Sequence, residues 1–112
     1  VGTAAAQVDG VRAWFKSDCL EGAEIVARNG ALTLADKLRF RRNAAAGVKI
    51  ITGAIDSLHE LAGANGIYDD YPIQKIFRDA HAGAAHFVLN MDVQMTPWAI
   101  VAFGGEVKSP TL

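Results

Sequence analysis

The sequence has little cysteine, little net charge and no long apolar run, and each shortage excludes a class of protein. Cys19 is the only cysteine, so no disulfide can form within the chain, and a reducing compartment is the simplest setting. The formal net charge of -1 provides no basic surface for nucleic acid or an anionic membrane. No apolar run reaches the roughly 20 residues of a membrane span. We therefore expect neither nucleic-acid nor membrane partners.

Targeting and metal-binding motifs are missing as well. The N-terminus lacks the basic and long apolar regions of a signal peptide, so we expect a cytoplasmic protein. HExxH, CxxC and the carboxylate–histidine pattern of di-iron proteins are absent, which predicts that the chain holds no metal. Because the chain starts at Val1, without methionine and inside a predicted helix, we expect residues 1–112 to be one domain of a longer protein.

Helical periodicity is what the first third of the sequence does contain. Residues 1–15 are rich in alanine, and their larger apolar residues recur every three to four positions. Residues 20–28 continue the pattern, and Ser17-Asp18 between them can either end the first helix or start a second. Asn29-Gly30 is a strong stop signal, because both residues tolerate the left-handed conformation of a helix C-cap.

Two further helices are predicted downstream. One begins at the N-cap Thr33, with Asp36 as an imperfect capping box, and runs to Ala62. Another begins at Pro72 and continues, with Pro97 as a kink or restart, to the glycines at 104–105. No strand pattern of period two occurs. The predicted fold class is all-α: an up-and-down antiparallel helical bundle of three or four helices.

The polar groups that could do chemistry lie between Leu61 and His86. On the predicted helix, His86 shares a stripe with Asp79, and the small residues Ala82 and Gly83 leave space beside its imidazole for a planar ligand. Close helix packing around a hydrogen-bonded histidine explains the same pattern. The residues alone leave both interpretations open.

Other polar residues favour structural roles. His59 lies near the end of the long helix, where it can neutralise the helix C-terminus, and His81 points to a different side from His86. The basic cluster at residues 37–42 is typical of a solvated helix face. Cys19 has no activating neighbour, so a buried or inert thiol is expected.

Two short segments could contact a phosphate or form ordinary structure. Residues 63–66, Gly-Ala-Asn-Gly, weakly resemble a phosphate-binding loop, but they follow a helix instead of a strand. A helix cap and turn explain them as well. Arg78-Asp79 could form an interhelical ion pair.

These segments also carry a family pattern, of the form Q-x-x-G-G-x-G-y followed after a short gap by p-x-x-R-x-x-R-D-a. The corresponding residues are Glu60–Ile67 and Pro72–Ala80, and they resemble the C-terminal helical domain of the acyl-CoA dehydrogenase superfamily. Three positions differ from the pattern. Glu60 replaces the flavin-contacting glutamine, Ala64 the second glycine and Lys75 the first arginine.

The residues after Arg78-Asp79 indicate a branch of that superfamily. The E-G-T motif of acyl-CoA dehydrogenases is absent, and His86 stands seven residues after Asp79. This spacing resembles the flavin-dependent monooxygenases of the superfamily, which are the oxygenase components of two-component aromatic hydroxylases. Residues 98–106, WAIVAFGGE, resemble the end of that group's last helix.

The resemblance implies that the chain is the C-terminal domain of such a flavoenzyme. The enzyme would hydroxylate a small aromatic or heteroaromatic substrate with O2 and reduced flavin, FMN or FAD, from a separate flavin reductase. It would be a homo-oligomer, a dimer or tetramer. The resemblance gives His86 a catalytic role and assigns cofactor binding to Gly63, Asn65, Gly66 and Arg78. The alternatives are an acyl-CoA dehydrogenase-like oxidoreductase with a displaced base and a non-catalytic helical oligomerisation domain.

Overall fold

The computed structural model describes residues 1–108 as four α-helices and two short 3-10 turns. The helices are α1 (Gly2–Asn29), α2 (Leu34–Ala62), α3 (Pro72–Ala84) and α4 (Met91–Ala102), and the turns are Gly63–Ile67 and Phe87–Leu89. No strand occurs within the described residues. The predicted all-α fold is confirmed. Residues 109–112 of the predicted domain lie outside the described residues.

Helix α2 is the central element of the bundle. The other three helices each pack against it, and the molecule is elongated, with extents of 50 × 25 × 21 Å. Phe15 of α1 lies against Gly47 of α2, and Glu21 lies against Arg39, as expected for antiparallel neighbours. Among the described residues, the buried apolar side chains come from these two helices: Ala4, Val11, Ile25, Leu38, Ala45 and Ala54.

The first helix is continuous through Ser17-Asp18, so the break considered there does not occur. The Asp18 side chain does not compete for backbone groups of its own helix. Its carboxylate accepts a hydrogen bond of 2.8 Å from the amide of Asn43 on α2. Asn43 is buried, and this contact satisfies one of its donors. The Asp18 carboxylate therefore bonds to α2 and does not form the local side-chain to backbone bond that would end α1.

The connection between α1 and α2 follows the predicted cap chemistry. Gly30 is left-handed, with φ of 80°, and its N–H bonds to the carbonyl of Val26 at 2.8 Å. Thr33 caps α2 by accepting a hydrogen bond from the Asp36 N–H, and Asp36 accepts one from the Thr33 N–H. The hydrogen bonds from the side chain and backbone of Thr33 hold the pKa of Asp36 below its ordinary value, helped by nearby Arg39.

The basic cluster at residues 37–42 is not a solvated face, because its half-buried side chains join three helices. Arg39 donates two hydrogen bonds to the Glu21 carboxylate, at 3.0 and 2.8 Å, and this bond raises the pKa of Arg39. A pair this exposed contributes at most about 1 kcal/mol. Arg42 lies 4.3 Å from the ring centroid of Trp98 on α4, a cation–π distance.

The single helix predicted from Pro72 to Gly104 is wrong, although its start at Pro72 is confirmed. It is two helices, and residues 85–90 separate them. In this interval the side chains of His86 and Asn90 accept hydrogen bonds from the N–H groups of Val88 and Val93. Side chains that take up backbone donors in this way replace helical hydrogen bonds, so the chain turns. Pro97 lies inside α4 without ending it.

Candidate functional site

His86 lies in the turn between α3 and α4, not on a helix. It is exposed, and its Nδ1 accepts a hydrogen bond of 3.2 Å from the Val88 N–H. Its ring stacks on Phe87 with centroids 5.2 Å apart. The predicted helical stripe with space beside the imidazole is therefore wrong, because the chain leaves the helix after Ala84. A neutral ring whose Nδ1 accepts carries its proton on Nε2, and that N–H is left for a ligand.

The segment at residues 63–66 is a tight turn attached to the end of α2. Gly63 ends the helix with φ of 59°, a conformation that favours glycine. Residues 63–67 then form one 3-10 turn, in which Gly66 is buried and Asn65 is exposed. The helix cap and turn considered from the sequence are confirmed. The same turn still presents an exposed amide and backbone groups to a ligand.

His59 holds this turn in place, a role that the sequence did not reveal. Its Nε2 lies 3.1 Å from the carbonyl oxygen of Gly66 and donates to it. Its ring stacks on Phe77 of α3, with centroids 4.1 Å apart. Phe77 in turn lies 4.5 Å from the ring of His81, whose Nε2 lies 2.6 Å from Asp56.

We call the four residues Asp56, His59, Phe77 and His81 the histidine clamp. Asp56 and His59 are three apart on α2, and Phe77 and His81 are four apart on α3, so each pair lies on one helix face. Two histidines and an aspartate at these spacings are a signal that can be read from the sequence. The sequence analysis instead assigned His59 to the helix terminus alone.

Arg78 is exposed on α3 and makes no ion pair with any residue from 1 to 108. The predicted interhelical pair of Arg78 and Asp79 is absent from that range, because Asp79 pairs with Lys75 one turn earlier on the same helix. Arg78 follows Phe77, the clamp residue that contacts His59. Its guanidinium is therefore free to bind an anionic ligand.

A cavity of about 510 Å³ lies between α2, α3 and the start of α4. Its polar lining comes from Lys49, Thr52, Asp56, His81, Asn90 and Asp92. The clamp residues Asp56 and His81 border it, whereas His86, Arg78 and the 63–67 turn do not. Within one copy of the chain, the predicted site residues are thus not gathered around a single cavity.

A second, mostly apolar groove of about 830 Å³ runs between α1 and α2. Phe15, Val26 and Phe40 line it together with Cys19. Of the two alternatives expected for the thiol, buried or inert, burial is wrong, because Cys19 is exposed. The groove joins no candidate site residue.

The candidate residues fit a phosphate-bearing cofactor. Gly66 has no room for a side chain, since a Cβ there would lie 2.9 Å from the Nε2 of His59. Asn65 offers a neutral amide and Arg78 an unpaired cation, the donor types that bind phosphate and ribityl oxygens. By contrast, no group of three or more histidine, cysteine, aspartate or glutamate side chains suited to a metal ion occurs within residues 1–108. In the same range no helix is long and apolar enough to cross a membrane.

Comparison with known proteins gives a family and a fold. Residues 1–91 match the family model described as acyl-CoA dehydrogenase, C-terminal domain. Over 54 residues the chain is 41% identical to the oxygenase component of p-hydroxyphenylacetate 3-hydroxylase from Acinetobacter baumannii. That match spans 48% of this chain and 13% of the relative.

Two crystal structures share the fold over nearly the whole chain. The 3-HSA hydroxylase from Rhodococcus sp. RHA1 matches with a TM-score of 0.89 and 21% identity, over 99% of this chain and 29% of that one. The HsaA monooxygenase from M. tuberculosis matches with a TM-score of 0.83 and 24% identity, over 94% of this chain and 27% of that one. The chain thus spans under a third of each. Since the family model covers most of its length, the chain belongs to the acyl-CoA dehydrogenase C-terminal domain family.

Proposed function

We propose that the chain is the C-terminal helical domain of a flavin-dependent monooxygenase, the oxygenase component of a two-component system. The observation that carries the proposal is the 41% identity over 54 residues to an oxygenase component. The fold shared with the 3-HSA hydroxylase and the HsaA monooxygenase is consistent with it. The substrate class is a small aromatic or heteroaromatic compound, and the co-substrate is O2.

The cofactor is reduced flavin, either FMN or FAD, and the residues that hold it are Gly63, Asn65, Gly66 and Arg78. The tight 63–67 turn presents the exposed Asn65 and its neighbouring backbone groups to a phosphate or sugar. Arg78 neutralises phosphate charge. When bound, reduced flavin supplies the electrons with which one oxygen atom enters the substrate ring and the other becomes water.

His86 is the proton-handling residue of this proposal. With Nδ1 bound to the Val88 N–H, its Nε2–H is left to donate a hydrogen bond to a reacting group. Histidine is the usual general acid or base near neutral pH. Its exposed position in a turn allows a ligand to approach it. The rest of the pocket would come from other parts of the longer protein or from a neighbouring subunit.

The partners follow from the same proposal. A separate flavin reductase delivers the reduced flavin, and the oxygenase forms a dimer or tetramer in the cytoplasm. Large apolar side chains support self-association, since Leu20, Ile67 and Phe103 are 63%, 70% and 90% exposed. Exposed apolar surface of this kind is often covered by a partner subunit.

His86→Ala in the longer oxygenase tests the proposal. Loss of general acid–base help costs roughly 100- to 10,000-fold in rate, so hydroxylated product should fall steeply. Flavin oxidation by O2 should continue, with hydrogen peroxide released in place of product. Product, peroxide and oxygen consumption measured together give this coupling ratio.

Thr96→Ala, a substitution of an exposed residue on α4, is the matched control and should keep wild-type coupling. If His86→Ala loses its helical circular dichroism signal, His86→Asn and His86→Gln take its place. Wild-type coupling in a folded His86 variant would show that His86 only packs the turn. Acyl-CoA oxidation without any hydroxylation would favour the dehydrogenase-like alternative.

A further inference from the structure

We propose that His59 is a positioning residue, which sets the geometry of the 63–67 turn and its relation to Arg78. This inference rests on the proposed function, because it treats that turn and Arg78 as cofactor contacts. Neither the family pattern nor the sequence analysis assigned His59 such a role. Two contacts of its ring, and the position of Arg78 next to one of them, carry the inference.

The first contact is with the turn itself. The Gly66 carbonyl accepts a hydrogen bond from His59 Nε2 at 3.1 Å, so the imidazole carries its proton on that nitrogen. Gly66 is buried, and the ring lies so close that a Cβ would approach Nε2 to 2.9 Å. The end of the turn is therefore fixed to α2 by the side chain of His59.

The second contact fixes the His59 ring from the side of α3. The ring stacks on Phe77 with an interplanar angle of 25°. Phe77 is braced by His81, and His81 is bonded to Asp56 on α2, three residues before His59. The four clamp residues thus form a closed set of contacts between α2 and α3. Neither the His59 ring nor the Phe77 ring can turn without disturbing its contact with the other helix.

Arg78 follows the clamp residue Phe77 directly in sequence. The turn belongs to the end of α2, and Arg78 belongs to α3, so they come from different elements. The His59–Phe77 stack joins α2 to α3, and His59 also contacts the turn while Phe77 directly precedes Arg78. The clamp therefore sets the separation between Asn65 on the turn and the guanidinium of Arg78. A cofactor held by both groups would bind less tightly if this separation varied.

Three substitutions separate the hydrogen bond from the stack. His59→Ala removes both, His59→Phe keeps an aromatic ring on Phe77 without the donor, and His59→Gln keeps an amide donor near the position of Nε2. Ser57→Ala, an exposed position one turn before the end of α2, is the matched control. Hydrogen exchange of the amides at residues 63–68, measured by NMR on the 112-residue chain, reports the turn directly.

Loss of one side-chain to backbone hydrogen bond should speed this exchange about tenfold. We expect that increase in His59→Ala and His59→Phe, and near-normal exchange in His59→Gln and Ser57→Ala. Unchanged exchange in a folded His59→Phe would overturn the inference. If His59→Ala fails to fold, the comparison of the Phe and Gln variants still decides.

Binding of reduced FMN and reduced FAD to the longer oxygenase supplies the second readout. The dissociation constant should rise about tenfold in His59→Phe, which loses the hydrogen bond to the turn. It should recover only in part in His59→Gln, which keeps the donor but loses the stack on Phe77, while the turnover rate at saturating flavin changes little in both. A stability effect alone would not produce this split between affinity and rate.

The Asn65→Ala variant distinguishes failure of the positioning role of His59 from failure of the proposed cofactor site. If Asn65→Ala weakens flavin binding and His59→Phe does not, the positioning role is wrong and the proposed cofactor site stands. If the exchange results are as expected but neither variant alters flavin affinity, the turn is not a cofactor contact. In that case the proposed site fails, and with it this inference.

Discussion

The two halves of the chain are built differently. Within residues 1–108, the α1–α2 pair contains all six buried apolar side chains, and its helices are joined by polar contacts such as Asp18–Asn43 and Glu21–Arg39. Helix α3 contains no buried residue, and large apolar side chains of the second half remain exposed, including Ile76 and Phe87. Every candidate site residue lies in the second half.

This difference indicates that the α1–α2 pair provides a packed support, while the second half provides an accessible surface. Buried residues determine stability, because they lose contacts and leave cavities when truncated. Residues that meet a ligand must be reachable, and such segments are drawn from the less stable parts of a fold. The histidine clamp connects the two halves, since it attaches α3 and the 63–67 turn to α2.

The largest expected effect contrasts Leu38 with Ile76. Leu38 is 1% exposed and Ile76 is 49% exposed. Leu38→Ala should lower the free energy of unfolding by about 2 to 5 kcal/mol, and Ile76→Ala by under about 1 kcal/mol. Urea denaturation followed by circular dichroism measures both. Leu61→Ala, at an exposed position of the same helix as Leu38, is the control; equal losses at positions 38 and 76 would contradict the contrast.

A smaller effect sharpens the account of the α1–α2 contact. A Cβ at Gly47 would overlap the Phe15 ring and approach Val11 to 3.1 Å. Gly47→Ala should therefore push the helices apart and cost about 1 to 3 kcal/mol, despite the higher helix propensity of alanine. Gly53→Ala on the same helix meets nothing within 4 Å and should stabilise the protein by up to about 1 kcal/mol. Thermal melts of the two variants should move in opposite directions.

The smallest expected effect is a pH dependence of folding stability that Asp36, in the first half of the chain, produces. The folded state lowers the pKa of Asp36, so it favours the ionised carboxylate. The resulting stabilisation is fully present above the ordinary aspartate pKa and is lost as the pH falls through the lowered value. Asp36→Asn should therefore lose less stability than the wild type on acidification through that range. Urea denaturation at several acid pH values tests this; parallel losses in the two proteins would argue against the capping box as the cause.

The helix ends predicted from the sequence are confirmed where the local capping signals agree with the packing of the helices. Thr33, Gly30 and Pro72 mark helix ends through their own backbone and side-chain preferences, so the sequence locates them. Ser17-Asp18 carried a signal of the same kind, yet α1 continues through it because Asp18 bonds to Asn43. That partner is distant in sequence, and only the packed pair of helices brings it close.

His86 shows the same limit at the candidate site. The sequence predicted one helix through it, from Pro72 to the glycines at 104–105, but polar side chains in residues 85–90 bond to nearby N–H groups and turn the chain. The family resemblance singled out His86 without depending on that helix. Its proposed catalytic role stays a prediction, now for an exposed histidine in a turn.

The sequence by itself determined the all-α class, the caps and the family, because these depend on local backbone preferences and on a pattern read along the chain. Only the tertiary structure decided which side chains meet across helices. The Arg39–Glu21 bond, the Arg42–Trp98 contact and the histidine clamp each join residues from different elements. Such contacts depend on how two helices are rotated and shifted relative to each other, and the spacing within either helix does not specify this.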